Sequence, residues 1–183
     1  MKKLLLIMGD LATGKSTFAG MLSRRYGVNV FYKDRFKEIL GDTIGFSNRE
    51  ENLRLSAASA ALMRMIFAEF CKLDKDLILK SNFRLHELEM LHKLADEHGY
   101  KVLTVSLRAD LGILHKRFLH RLHHENRHAV HACGGFEDFE TFKDYILRQR
   151  DLKIPGRVME LQADTFDYQQ DAAVLAELDK FMC

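Results

Sequence analysis

Short apolar runs alternate along this chain with longer segments of helical periodicity. Leu4-Leu5-Leu6-Ile7-Met8 is a continuous apolar run of strand length, followed by an amphipathic stretch from Thr17 to Tyr26 that Gly27 suits as a C-terminal cap. Val28 to Tyr32 reads as a second strand, and Arg35 to Leu40 as a short helix. Between about Asn52 and Cys71, the residues Leu55, Ala58, Leu62, Met65, Ile66 and Phe70 recur near helical spacing. Asp76 to Lys80 predicts a third strand, Leu85 to His98 a helix closed by Gly99, and Lys101 to Leu107 a fourth strand. Leu111 to His124 is helical in pattern but crowded with His and Arg. The pair Gly134-Gly135 separates it from a helix at about Glu137 to Arg150, marked by Phe139, Phe142 and Ile146. Val158 to Leu161 is the fifth strand and Asp171 to Met182 the closing helix. Strands alternating with helices predict an α/β fold in three α/β/α layers around a five-stranded parallel sheet. No Gly/Ser-rich or low-complexity linker interrupts the 183 residues, so a single domain, 1–183, is expected.

The junction of the first strand and the first helix carries the strongest chemical signal. Gly9-Asp10-Leu11-Ala12-Thr13-Gly14-Lys15-Ser16 spells G-x-x-x-x-G-K-[ST] between a strand and a helix. Glycines there let successive backbone N–H groups turn inward around phosphate oxygens, and the helix N-terminus adds partial positive charge. The pattern therefore predicts a nucleoside triphosphate on residues Gly9 to Thr17, with Lys15 on the β- and γ-phosphates and Ser16 on Mg²⁺. Lys33-Asp34-Arg35-Phe36-Lys37 follows the second strand directly. Ligands of open parallel sheets lie beyond the carboxyl ends of the strands, which places Asp34 toward the phosphates. Its carboxylate suits accepting a proton from an attacking hydroxyl or binding Mg²⁺ through water, and also suits capping the short helix after it.

Composition narrows this only a little. A hydrophobic content of 47% and a net charge of +2 fit a globular domain and point to neither nucleic acid nor a membrane surface as partner. The apolar part of the opening segment stops at Gly9-Asp10, short of a secretory core, and no run is long enough to span a bilayer. Three scattered cysteines, Cys71, Cys133 and Cys183, form no disulfide framework, so a reducing cytoplasmic setting is expected.

The glycine loop, Asp34 at a strand end and the Arg-rich segment after the fourth strand together resemble the small P-loop kinases. That group includes adenylate, shikimate and gluconate kinases, chloramphenicol phosphotransferase, zeta-toxin-like kinases and the 5′-hydroxyl polynucleotide kinases. The likeness is nearest to the zeta-toxin-like, AAA-family predicted kinases. It rests on Lys37-Glu38-Ile39-Leu40 with Gly45, on Ser81-Asn82-Phe83, and on Arg127-His128-Ala129-Val130-His131. It implies a helical Arg/His-rich lid at about 115–135 that closes over ATP. It also implies Arg117 beside the purine with Ala163-Asp164-Thr165, Arg121 at the transferring phosphoryl group, and Arg127 as a third lid arginine. Arg117 and Arg121 are spaced to share one helical face. The catalytic set expected is Lys15, Asp34 and Arg121, with Arg117 and Arg127 on the nucleotide, Ser16 and Asp34 on the metal, and a small-molecule hydroxyl as acceptor.

Two positions depart from the family pattern. Lys80 precedes Ser81-Asn82 where related kinases often carry Asp or Glu, and Lys37 replaces the arginine of Asp-x-x-Arg. A charged lysine binds no metal, so Lys80 either takes an anion or extends to solvent. Six of the nine histidines fall between His115 and His131. With Cys133 they raise the idea of a zinc-stapled lid, against a basic, hydrogen-bonding lid surface or contact of His128 or His131 with substrate. Glu38, Asp42, Arg49, Glu50, Arg54 and Asn82 are polar groups available to an acceptor. Two rival functions are a nucleotide-binding regulator without phosphotransfer and a kinase acting on a nucleic-acid 5′-hydroxyl or a nucleotide sugar; the absence of a basic-aromatic stripe counts against long nucleic acids.

Overall fold

Strict alternation along the first strand builds the molecule. In the computed structural model, which describes residues 1–125, 127–131 and 135–183, strand β1 (Lys3–Gly9) sends Leu5 and Ile7 into one core and Leu4, Leu6 and Met8 into another. A strand buried on both faces needs apolar residues at every position, which is why this run is continuous. The remaining elements follow in chain order: α1 (Lys15–Tyr26), β2 (Asn29–Tyr32), α2 (Lys33–Ile44), α3 (Arg49–Lys72), β3 (Leu77–Lys80), α4 (Leu85–Glu97), β4 (Lys101–Arg108), α5 (Leu111–His124), α6 (Phe139–Arg150), β5 (Arg157–Gln162) and α7 (Ala172–Met182). Short 3-10 turns lie at Ala129–His131 and Asp167–Gln169.

The five strands form one parallel sheet in the order β2-β3-β1-β4-β5. Helices α1, α5, α6 and α7 contribute Phe18, Leu22, Leu114, Phe118, Phe142, Ile146, Leu178 and Phe181 to the core on one face. Helices α3 and α4 contribute Met63, Phe67, Cys71, Leu88, Leu91 and Ala95 to the other. Since β1 lies between β3 and β4, the strand order reverses at β1, and the crevice expected of such sheets opens at its carboxyl end. The Gly9–Gly14 loop leaves the sheet there.

Two helices extend beyond the segments their sequence predicts. Helix α2 runs past Gly41 to Ile44 and is closed by Gly45. Gly41 sits inside the helix because Val130 fills the space a side chain would take: a Cβ there would lie 2.4 Å from Val130 Cγ1. Helix α3 begins earlier than expected, at Arg49, because Asn48 caps it by accepting the Glu51 N–H at 2.9 Å. Among the described residues, no helix is long and apolar enough to cross a membrane.

Candidate functional site

The loop between β1 and α1 is held by backbone geometry that only particular residues permit. Gly9 has φ +126°, and a Cβ there would sit 2.1 Å from the Leu107 carbonyl oxygen, so the chain crosses β4 at a distance only glycine allows. Gly14 caps α1 in the left-handed region at φ +81°, and a Cβ on it would meet Tyr168 Oη at 2.9 Å and the Phe166 ring at 3.0 Å. Tyr168 Oη donates to the Thr13 carbonyl at 2.7 Å, and the Tyr168 ring packs edge-on against Phe18. The segment after β5 thus braces the loop from the side.

Asp10 is turned away from the loop mouth. Its carboxylate is buried, accepts the Ala109 N–H at 3.2 Å and pairs with Arg150 Nη2 at 2.6 Å. Arg150, in the last turn of α6, also donates to the Ala109 carbonyl, so one guanidinium ties α6, the loop and the end of β4 together. Breaking a buried pair leaves an uncompensated charge, which costs about 3–5 kcal/mol. Arg150→Met is expected to lower unfolding stability by about that much in urea titration, with Asp10→Asn in the same background recovering part of it.

Lys15 lies at the centre of the loop, buried, its ammonium donating to the Asp10 carbonyl and resting 3.4 Å from Thr13 Oγ1. Burial, reinforced by the neighbouring Lys80 charge, pushes its pKa down to about 7, against the opposing pull of Asp34 and Asp10. Ser16 and Thr17 are exposed in the first turn of α1.

Asp34 stands in the first turn of α2, where Tyr32 is the capping residue, so its carboxylate does not cap the helix and instead pairs with Lys80 Nζ. Lys80 is buried at the end of β3 and does not extend to solvent. Burial alone would raise the Asp34 pKa, but the Lys80 ammonium, with help from His131 and Lys15, holds it below the usual carboxylate range. Two lysines and one carboxylate therefore share the crevice.

The arginines named from the sequence fall in two places. Arg117 donates to the carbonyls of Ala163 at 2.7 Å and Asp164 at 2.6 Å, and its guanidinium lies 4.3 Å from the centre of the Phe166 ring. Arg121 pairs with Glu125 at 3.0 Å and is close enough to Lys15 to oppose its charge. Arg127 lies over the Phe118 ring at 5.4 Å, and burial with the Arg121 charge lowers its pKa. Lys15, Asp34, Lys80, Arg121 and Arg127 thus form one electrostatically coupled group.

Several polar residues are committed elsewhere. His128 Nε2 lies 2.9 Å from Asp42 Oδ1, and His131 Nε2 lies 2.8 Å from Glu38 Oε1. The Val130 carbonyl accepts from Lys37 Nζ and Asn52 Nδ2, each at 3.1 Å. The Arg-His-x-x-His segment is therefore a strap fastened to α2, and Glu38 and Asp42 are engaged by it. Arg54 pairs with Glu50 on the exposed start of α3. His120 and His124 meet on one helical face at 4.7 Å, and α5 ends before His128. Among the described residues no cluster of three metal-ligating side chains exists, and Cys133 and Gly134 lie outside the described residues.

Four residues at this end of the sheet were not singled out as site residues from sequence. Arg150 and Phe166 are two, and Tyr168 a third. The fourth is Tyr145 on α6: burial raises its pKa, and Asn82, Arg84 and Asp34 are near enough to act on it.

No protein-family model matches the chain, and no curated protein matches it. Among solved structures it is similar to a provisionally assigned kinase of Chloroflexus aurantiacus, at 25% identity and a TM-score of 0.84, covering 98% of both chains. It is also similar to a gluconokinase from Sinorhizobium meliloti, at 16% identity and a TM-score of 0.63, covering 97% of this chain and 94% of that one. A shikimate kinase from Bacteroides thetaiotaomicron matches at 17% identity and a TM-score of 0.58, covering 97% and 98%. The five-stranded parallel sheet with its flanking helices is the fold of the small P-loop kinases.

Proposed function

We propose that this chain is a kinase that transfers the γ-phosphoryl group of ATP, with Mg²⁺, to a hydroxyl of a small molecule. The observation that carries this reading is the crevice at the end of β1. There the glycine loop, buried Lys15 and the ion-paired Asp34 converge beneath Arg121 and Arg127. The backbone of Gly9 to Gly14 would hold phosphate oxygens, with Lys15 as the cation among them. Ser16 and Asp34 are a hydroxyl and a carboxylate, the hard oxygen donors that suit Mg²⁺, and with Lys80 on Asp34 the carboxylate would reach the ion through water. When bound, the ion would supply charge neutralisation on the phosphates. Arg117 and the exposed ring of Phe166 offer the base a stacking surface beside the Ala163 and Asp164 carbonyls.

Asp34 with its lowered pKa is a weak base, and Lys80 keeps it anionic and fixed. Phosphoryl transfer through a loose transition state asks more for orientation of the acceptor hydroxyl than for early proton removal, so a fixed carboxylate serves. Arg121 and Arg127 would spread charge over the transferring group, as planar guanidinium groups do best. Free thiols at Cys71 and Cys183 fit a reducing cytoplasm.

Lys15 makes nucleotide binding a proton-linked event. Phosphates favour its charged form and raise its pKa from about 7, so the complex holds a proton that the free protein has released. Affinity should be level below about pH 7 and fall by up to about tenfold per unit above it. Calorimetry with ATP at about pH 8, in two buffers of different ionisation enthalpy, should show uptake approaching one proton per nucleotide. Affinity and proton count unchanged from neutral to alkaline pH would remove Lys15 from the phosphate site.

A further inference from the structure

The end of β3 brings a second buried lysine to the glycine loop. Lys80 is the last residue of that strand, beside Ile7 of β1 and Tyr32 of β2, and the next residue, Ser81, donates its N–H to the Ile7 carbonyl at 3.1 Å. Ile7, Tyr32 and Ile78 belong to the core beneath α1, and strand residues two apart share a face. Lys80 therefore leaves the sheet on the side of α1, where the loop delivers Lys15.

The pair that Lys80 makes with Asp34 is lopsided: the lysine side chain is 7% exposed and the carboxylate side chain 49%. The ammonium is enclosed, and the carboxylate opens on the crevice. Lys15 and Arg121 stand around the same point, and Lys80 is the charge that acts most strongly on Lys15. Glu125 is taken by Arg121 and Asp10 by Arg150, and among the described residues no carboxylate lies within ion-pair distance of Lys15. One carboxylate thus answers two enclosed ammonium groups. Enclosed cations are costly without anions to match them, and a terminal phosphate carries the missing charge.

We propose that Lys80 grips the γ-phosphate of the bound nucleotide, its ammonium bridging a γ-phosphoryl oxygen and the Asp34 carboxylate. The assignment rests on the placement of ATP and Asp34 in the proposed function. Lys15 rises from the loop itself and lies along the phosphate chain. Lys80 is tied to the residue that faces the acceptor, and the phosphate nearest the acceptor is the terminal one. An ammonium has three N–H donors, enough for both partners at once. It stays charged throughout and gives up no proton. Its work is to hold the phosphate and the orienting carboxylate, two anions that repel one another, side by side.

The test is calorimetry of the full chain with ATP and with ADP, both free of metal, at about pH 6, below the Lys15 pKa of about 7. The ratio of the two affinities is read, since a change in Lys15 protonation moves both ligands. Lys80→Met should weaken ATP by about tenfold or more, the scale of a charge-assisted hydrogen bond, and ADP by less than about twofold. The carboxylate it leaves behind is half-exposed, so the variant should fold. The same substitution made on top of Asp34→Asn takes the carboxylate out of the comparison, and the selective loss of ATP affinity should persist there. A loss that vanishes in the Asp34→Asn background means that Lys80 acts only through the carboxylate, and overturns the proposal. Equal losses for ATP and ADP, or none, overturn it too. The expected pattern in a chain that transfers phosphate to no acceptor would uphold Lys80 on the γ-phosphate and remove the kinase reading.

Discussion

Replacing Lys15 by methionine is expected to reduce phosphoryl transfer by about a thousandfold or more, roughly 4 kcal/mol of transition-state stabilisation. The substitution keeps the length and packing of the side chain and removes the one cation inside the loop. The same change should make the protein more stable. A base whose pKa is depressed in the fold destabilises it most where the group is fully protonated, so the gain is greatest below about pH 7 and fades toward the free-lysine value of 10.5. Activity lost while thermal stability rises separates a functional role from unfolding. Catalysis unchanged in Lys15→Met would overturn the loop assignment.

Arg121→Ala should lower kcat by about a thousandfold, the scale of arginines that stabilise a transferring phosphoryl group. Its ground-state partner is Glu125, one turn away on an exposed surface, and such pairs contribute less than about 1 kcal/mol, so the fold should not notice the change. The KM for ATP should move little, because the contact is made fully only as charge develops. Arg121→Lys keeps the charge without the fork and should recover only part of the rate. If the loss appears in KM alone, Arg121 is a ground-state binding residue and the transition-state role passes to Arg127.

The fold was legible because its signals are local. Each buried strand is an apolar run, α5 spans the predicted Leu111–His124, and Asp138 and Asp171, read as helix starts or near them, are the N-caps of α6 and α7. The loop was legible because its glycines, lysine and serine fall at fixed spacing within one short stretch, Gly9 to Ser16. Gly41 misled because a glycine in a helical run reads as an end, and its reason, Val130, lies far along the chain. Lys80 was recognised as a departure, but its burial against Asp34 depends on β3 lying beside β2. Arg150 and Asp10 are 140 residues apart and share no motif, so only the docking of α6 beside the loop reveals them. Tyr145 and Phe166 each looked like ordinary apolar positions in sequence. Their polar and stacking partners come from elements that meet only in the folded molecule.

Lys80 also marks where the kinase reading and a regulatory one part. A lysine on Asp34 could serve to hold the carboxylate for an acceptor, or to occupy it in a protein that binds nucleotide without using it. The most direct measurement is transfer of label from γ-labelled ATP, with Mg²⁺, across sugars, hydroxy-carboxylates, nucleosides, nucleotide sugars, antibiotics and oligonucleotides, run beside Lys15→Met and Asp34→Asn. Label on a small-molecule acceptor, lost in both variants, is the predicted result. ATP bound tightly and returned intact in the presence of every acceptor would contradict the account and favour the regulator.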